Sequence, residues 1–309
     1  MVKSKATSKR VEKVKTKKGK RVLEDRASKT VENDKKALFC RGAKTNEILN
    51  SAMADLYDLK KPLTVKMDKH NQYHLFEDET PVVRAGSKFD SSLFVLASNS
   101  KKRPNSMTFG RTYDAQLLDM VEMKIVAYQS SSNFEAPKQT LASKPCVILE
   151  GAAFESDPDM KRVGNLMIDW FRGPNVDRIR LEGLETVIVF TAVDETHLAM
   201  RVYRPLLKKS ATATPRVELA EMGPSLTFEV LRKKLADEML FKLACKKPKA
   251  LLKKRRKNLS EDVFGNQLAR VHVGKQRTDD IQVRKVKALK KTPLVEAPPA
   301  ENPIEIDED

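Results

Sequence analysis

Residues that could support catalysis or metal binding are few in this sequence and poorly arranged. His70 and His74 are four residues apart, a spacing that places two imidazoles on one face of a helix. Their neighbours are typical of a strand or loop, and no third ligand stands near them, so we expect no metal site. The chain has no GxxxxGK(S/T), GxGxxG or GxSxG motif, which weakens every enzymatic interpretation. We therefore expect no catalytic residue and no cofactor.

Two carboxylates, Asp157 and Asp159, could form an acid–base pair, but a helix is predicted to begin there. Helix capping and interaction with the helix dipole explain acidic residues at such a place without catalysis. We assign both residues a structural role.

The three cysteines, Cys40, Cys146 and Cys245, form no CxxC pair and are about a hundred residues apart. This spacing indicates neither a disulfide framework nor a zinc cluster, and it is typical of a reducing, intracellular compartment. Cys40 and Cys146 stand in apolar runs, so we expect them to be buried structural thiols.

We single out three blocks of basic residues, at 17–21, 101–103 and 253–257. Such blocks bind phosphate by releasing counterions, which gives affinity without sequence choice. The first and last blocks could equally serve as nuclear import signals. The middle block follows a predicted strand, so it is either a surface turn that contacts RNA or a merely solvated turn. The candidate RNA-binding residues in the last two blocks are Lys101, Lys102, Arg103, Lys253, Lys254, Arg255, Arg256 and Lys257.

The distribution of charge matters more than its total of +17. Residues 1–36 contain 14 Lys/Arg against 5 Asp/Glu, and residues 246–292 contain 16 against 4, so these arms carry +9 and +12. Residues 293–309 carry −6, which leaves +2 for residues 37–245. We expect a nearly neutral folded core between solvated arms, with a polyanion such as RNA or DNA as the partner. Aromatic residues are scarce in the arms, which favours recognition of RNA backbone or shape over base stacking.

Two strand–helix units are predicted in the core. Apolar residues 37–40 end at Arg41-Gly42, and an amphipathic pattern follows behind Thr45 as a helix cap and stops before Pro62. Residues 146–149 end near Gly151, and a second helix follows with Asp157 as its cap, Pro158 in its first turn and Gly173-Pro174 at its end. Further strands are predicted at 93–97, 107–109, 187–193, 199–203, 216–220 and 226–231. The pattern indicates an α/β core with an imperfect duplication.

The longest apolar run, residues 187–193, is far shorter than a membrane-spanning helix requires, and the lysine-rich beginning of the chain lacks a signal-peptide core. We therefore expect a soluble protein without membrane contact. Residues up to about Lys36 contain almost no large apolar side chains, so we expect disorder there, or order only on a partner.

Four strings of the core stand out: residues 35–42, Leu75-Phe76-Glu77-Asp78, residues 100–105 and Glu221-Met222-Gly223-Pro224-Ser225. They resemble strings of the Brix-domain family of ribosome assembly factors. In the C-terminal arm, Asp262-Val263-Phe264-Gly265 and residues 270–276 continue the resemblance, which adds Arg270, His272 and Lys275 to the candidate RNA-binding residues.

The resemblance implies a Brix domain of two similar α/β halves related to anticodon-binding domains. The implied division is a disordered basic tail at 1–30, a Brix domain at 31–245 with halves at about 31–140 and 141–245, a basic RNA-binding extension at 246–292, and an acidic disordered tail at 293–309.

The resemblance further implies a nucleolar role in large-subunit assembly and rRNA processing. Expected partners are 5S rRNA and pre-rRNA, a regulator of ribosome synthesis as heterodimer partner, the two ribosomal proteins of the 5S particle, and the pre-large-subunit particle. Two other hypotheses remain: a nuclear interaction scaffold whose basic arms serve import only, and a DNA-binding chromatin protein.

Overall fold

The computed structural model describes residues 14, 16–27, 29–176, 179–211, 214–252, 257–262, 264, 266–271 and 274. The chain divides into two units, residues 1–252 and residues 253–309. The class is mixed α/β, as the sequence predicts. Helices in the described residues include none that is long and apolar enough to span a membrane.

The first unit contains one large sheet with helices on it. Its earlier elements are α1 (Lys17–Arg26), β1 (Ala37–Arg41), α2 (Glu47–Lys60), β2 (Thr64–His70), α3 (Thr80–Phe89), β3 (Leu93–Ser98), β4 (Ser106–Tyr113) and β5 (Gln116–Gln129). Its later elements are β6 (Cys146–Glu150), α4 (Ala153–Ser156), α5 (Pro158–Phe171), β7 (Val187–Ala192), β8 (His197–Lys208), β9 (Arg216–Glu221), β10 (Ser225–Leu235) and α6 (Glu238–Ala244). Short 3-10 helices occupy Ser131–Asn133, Leu181–Gly183 and Lys249–Leu251.

The sheet has ten strands in the order β2-β1-β3-β4-β5-β10-β8-β7-β6, and β9 pairs with β8 beyond this path. At one end β1 is parallel to both β2 and β3, and at the other end β6 is parallel to β7. The strands between are antiparallel. The long ladder of β5 with β10, from Gln129 opposite Ser225 to Asp119 opposite Leu235, joins the two ends into one sheet.

Both predicted strand–helix units are present, with one correction. The cap of α2 is Asn46, whose side chain accepts from the Leu49 amide at 3.0 Å, so the prediction of Thr45 was wrong by one residue. Asp157 caps α5 by accepting from the amides of Asp159 and Met160, as predicted. Asp159 in the first turn also pairs with Lys233 at 2.9 Å.

The face of the sheet covered by α2 and α5, here called the inner face, holds the larger core cluster. Trp170 is fully buried there, with its ring centroid 5.7 Å from that of Phe39 and 5.3 Å from that of Phe109, both edge to face. Such aromatic pairs add stability beyond the burial of area.

The opposite, outer face is covered along β1 and β3 by α3 and the segment before it. Leu38, Cys40 and Phe94 pack there with Leu75 and Val82. The prediction of buried thiols holds for Cys40, but Cys146 is only half-buried because it lies on the edge strand β6. Cys245, for which the sequence makes no separate prediction, is exposed.

Elements that the sequence analysis does not predict include β2, α3, β5 and α6. The segment 17–26 also differs from expectation: it forms α1, capped by the Thr16 side chain, and none of its residues is buried. Because the helix buries no residue, the core does not explain it. Its contacts include its own cap, exposed i, i+4 ion pairs and a hydrogen bond from the Asn33 side chain to the Asp25 carbonyl at 3.1 Å.

Candidate nucleic-acid interface

The predicted basic turn is a defined loop at the carboxyl end of β3. Residues 99–105, here called the basic loop, connect β3 to β4. The amide of Asn99 donates to the Lys44 carbonyl at 2.8 Å, and the amides of Ser100 and Arg103 donate to each other's carbonyls at 3.1 and 3.2 Å. The loop is therefore fixed by its own backbone and by the loop after β1.

Asn105 closes the basic loop with φ 52°, in the left-handed region that asparagine tolerates better than most residues. Its side-chain oxygen accepts from the amide group of Asn46, the cap of α2. Its carbonyl accepts from the Ile125 amide at 2.9 Å. These contacts leave Lys101 and Lys102 exposed, whereas Arg103 is half-buried. Two ammonium groups thus face solvent on a fixed backbone.

Arg103 points toward a buried carboxylate on the outer face of the sheet. Glu122 accepts from the Ser106 hydroxyl at 2.8 Å and from Arg232 Nε at 2.5 Å, and Arg103 Nε lies 3.8 Å away. The Arg232 guanidinium also stacks over the Phe76 ring at 3.8 Å from its centroid. Two arginines around one carboxylate leave this region with an excess of positive charge.

A cavity of about 280 Å³ lies between the basic loop and the segment after β2. Lys44 and Arg103 line it from the loops, and Glu122 and Arg232 line it from the sheet. The sequence does not single out Lys44, which is isolated from other basic residues, or Arg232, which begins the run Arg232-Lys233-Lys234 directly after a predicted strand. Only the fold brings them beside Lys101–Arg103.

The remaining predicted residues belong to the second unit. There, β11 (Leu259–Glu261) and β12 (Gln267–Ala269) form a short antiparallel hairpin. The Arg270 amide donates to the Asn258 carbonyl at 2.8 Å, so Lys257 and Arg270 flank the same end of the hairpin, and both are exposed. Lys253, Lys254, Arg255, Arg256, His272 and Lys275 lie outside the described residues.

The two histidines that were weighed as metal ligands have other surroundings. His70 ends β2, and its Nδ1 contacts the Gly42 carbonyl at 2.9 Å, whereas His74 is exposed in the following loop. Within the described ranges, no group of three or more His, Cys, Asp or Glu residues could hold a metal ion.

A second surface with functional potential is apolar. Along β6 to β9 the outer face carries no helix in the described part of the chain, unlike the outer face along β1 and β3. Strand pairing places side chains on that face in register, with Ile148 opposite Val189 and Leu207 opposite Val217. Val217 is 56% exposed and Leu219 51% exposed. We call this surface the outer apolar patch; it comprises Ile148, Val189, Tyr203, Leu207, Val217 and Leu219.

Comparison with known proteins assigns the chain to a family. Residues 42–232 match the Brix domain. A Caenorhabditis elegans ribosome production factor 2 homolog is 84% identical over 96% of this chain and 99% of that protein. The Saccharomyces cerevisiae ribosome biogenesis protein RPF2 is 38% identical over 91% of this chain and 85% of that protein.

A solved structure, that of a probable ribosomal biogenesis protein from Aeropyrum pernix K1, superposes with a TM-score of 0.43 at 11% identity, over 66% of this chain and 99% of that one. Because the Brix domain match covers more than half of the chain and the C. elegans relative aligns along nearly all of it, the chain belongs to the Brix-domain family of ribosome biogenesis proteins, among the ribosome production factor 2 homologues.

Proposed function

We propose that this protein is a non-catalytic assembly factor of the large ribosomal subunit that binds rRNA and helps to bring 5S rRNA, with its two ribosomal proteins, into pre-ribosomes. It acts in the nucleolus, where pre-rRNA is processed. The observation that carries the proposal is the basic loop, which holds Lys101 and Lys102 at the surface of a core whose net charge is only +2.

Each segment of the chain has its own role in this function. Residues 31–245 form the Brix domain and present the basic loop to RNA. Residues 246–292, with a net charge of +12, form an extension that binds RNA backbone. Residues 1–30 serve nuclear import, and residues 293–309 are an acidic tail. Contacts with the RNA backbone release counterions, so the affinity for RNA should fall steeply as the salt concentration rises.

The RNA contact is tested by neutralising two lysines in the full-length protein. Lys101→Gln with Lys102→Gln should reduce the slope of log K against log salt for 5S rRNA by about 1.4, because each single-strand phosphate contact contributes about 0.7. The matched control is Lys66→Gln with Lys69→Gln, which removes the same charge from exposed positions on β2. An equal change of slope in both proteins would reject a specific role for the loop.

The extension is tested in the same titration. Replacing Lys253, Lys254, Arg255, Arg256 and Lys257 with Gln should reduce the slope further while leaving the thermal unfolding of the core unchanged. If the slope stays that of the wild type, the extension does not bind RNA. The basic arms would then serve import alone, as the scaffold hypothesis states.

A competition experiment distinguishes RNA binding from DNA binding. We expect structured 5S rRNA to displace a labelled rRNA probe at lower concentration than a B-DNA duplex of equal charge, because A-form and B-form helices present phosphates at different spacings. A duplex DNA that competes equally well would favour a chromatin protein.

The regulator of ribosome synthesis, in this proposal, docks on the outer apolar patch and the neighbouring strand edges. Exposed apolar patches with polar surroundings are typical of protein interfaces. Val217→Lys with Leu219→Lys should abolish co-purification of that partner. Leu141→Lys, at a position 65% exposed and outside the patch, is the control and should leave co-purification intact. Loss of the partner with both proteins, or with neither, would contradict this placement.

A further inference from the structure

The cavity beside the basic loop lies at a topological switch point of the sheet. From β1 the chain crosses the inner face through α2 to β2, and from β2 it crosses the outer face through α3 to β3. The parallel strands β1 and β2 are neighbours, and the loops after their carboxyl ends lead to helices on opposite faces of the sheet. In α/β sheets, ligands bind in the crevice at this point. Residues of both loops, Lys44 and Phe76 among them, line the cavity together with Asn99 and Arg103 of the basic loop.

The size of the cavity limits the occupant. A volume of about 280 Å³ lies just below the usual range of drug-sized ligand sites, which begins at about 300 Å³. The cavity therefore suits one planar ring system with a short substituent. It does not suit a peptide segment or a double helix.

Flat side chains line the cavity in a stacked arrangement. Phe76 and Arg232 are in contact, ring to guanidinium, at 3.8 Å, and Tyr73 belongs to the same wall. Burial raises the pKa of Tyr73, in keeping with a ring set against the core. Unstacked RNA bases bind to aromatic rings and to arginine planes. The wall thus has the surface that a nucleobase needs.

Polar groups of the sheet face the same cavity. Thr108 and Glu122 line it from neighbouring strands, with Ser98 beside them. Glu122 accepts from Ser106 and Arg232, which hold its carboxylate in one orientation. Hydroxyl and carboxylate oxygens accept from the ring and exocyclic NH groups of a base.

Positive charge stands at the rim of the cavity. Lys44, which lines the cavity, is exposed, and so are Lys101 and Lys102 on the loop that contributes Arg103 to the lining. Ammonium groups at these positions bind phosphates, and the stacked wall binds a base. We propose that the cavity takes one unpaired nucleotide of a bound RNA, its base against Phe76 and Arg232 and its phosphates at the rim. This inference rests on the proposed RNA-binding function and names the part of the RNA that the loop region selects.

The test compares two RNA duplexes of equal charge, one fully paired and one with a single bulged nucleotide, both titrated with the full-length protein. The wild type should bind the bulged duplex about fivefold or more tightly, the smallest effect expected for one stacked base. Arg232→Lys keeps the charge but removes the planar guanidinium, and it should lose this preference while keeping its affinity for the paired duplex. Arg204→Lys, a half-buried strand arginine outside the cavity lining, is the matched control and should keep the preference.

Phe76→Leu provides a second variant, since it removes the ring and retains an apolar side chain, and thermal unfolding checks that both variants fold. A 4-thiouridine at the bulge should in addition crosslink to residues 72–77 of the wild type. Equal binding of both duplexes by the wild type would overturn the nucleotide site and leave RNA binding intact. No binding of either duplex would instead overturn the proposed function. A preference that survives both Arg232→Lys and Phe76→Leu would also overturn the site.

Discussion

The guanidinium carbon of Arg162 lies 3.4 Å from the ring centroid of Phe241. Arg162 on α5 also donates to Asp119 at 3.3 Å and to the Ala236 carbonyl at 2.8 Å, and Asp119 accepts from Arg111. Through Phe241, the helix α6 therefore packs onto a buried network of charges. Because α6 is the last helix before the basic extension, this contact fixes the point from which the extension leaves the core.

Phe241→Leu should loosen α6 without unfolding the sheet. A cation–π contact of this kind contributes about 1 kcal/mol, which is enough to raise local opening severalfold. Hydrogen exchange of the amides in 238–245 should accelerate, and β5 and β10 should keep their protection. Met239→Leu, at a position 76% exposed, is the control. Unchanged exchange in Phe241→Leu would show that the contact does not hold the helix.

The stability of the core should rise in alkaline solution because of Lys60. This lysine is 6% exposed and donates to the Trp170 carbonyl, and burial lowers its pKa to about 8 despite the nearby Asp169. In the unfolded chain its pKa is higher, so between these two values the folded protein binds fewer protons and stability increases with pH.

Between about pH 7.5 and pH 10.5, the free energy of unfolding of the wild type should rise relative to Lys60→Met by on the order of 1–3 kcal/mol. Chemical denaturation at each pH measures it. Lys69→Met, which removes an exposed lysine of β2, should follow the wild type. Parallel curves for wild type and Lys60→Met would contradict the burial of a charged lysine.

The three thiols should react at different rates. Cys40 is fully buried, and burial raises its pKa to about 12, so it is protected both sterically and by its protonation. Cys245 is exposed and should react with a thiol reagent in the native protein. Cys245→Ser should remove the fast phase, and labelling of Cys40 should require denaturant. Fast native labelling of Cys40 would place β1 outside the core.

Gly223 should not tolerate a side chain. Its φ is +68°, and a Cβ atom there would lie 2.3 Å from the Phe134 ring, between the linker after β5 and the turn before β10. Gly223→Ala should cost about 2–4 kcal/mol, from left-handed strain and overpacking together. Gly183→Ala, where nothing lies within 4 Å, is the control for thermal unfolding. Equal melting temperatures of Gly223→Ala and Gly183→Ala would show that the linker after β5 moves to accommodate the added methyl group.

Local signals identified much of the fold. β1 with α2 and β6 with α5 were predictable because an apolar run, a glycine and a helix cap follow in order along the chain. The long strand β5 was not predictable, since its Asp119 and Glu122 are typical of a solvated segment. Both carboxylates are buried with arginine partners: Arg111 on the neighbouring strand, and Arg162 and Arg232, which are distant in sequence.

The candidate site was predictable only in part, because some of its residues are adjacent in sequence and others meet only in the fold. Lys101, Lys102 and Arg103 are adjacent in sequence, so their charge is visible without a structure. The cavity beside them depends on Lys44, Phe76 and Arg232, which come from three separate elements. No spacing in the sequence indicates that these residues meet. The scarcity of aromatic residues in the arms argued against base stacking, whereas the stacked pair of Phe76 and Arg232 lies in the core.

The central claim is that the basic loop and the C-terminal extension contact rRNA, and crosslinking in the native particle tests it most directly. Pre-ribosomes irradiated in cells and digested to peptides should yield rRNA crosslinks within residues 99–105 and within residues 253–275, with 5S rRNA among the crosslinked RNAs. Crosslinks that fall only within residues 1–36, or crosslinks to DNA in place of rRNA, would contradict the account.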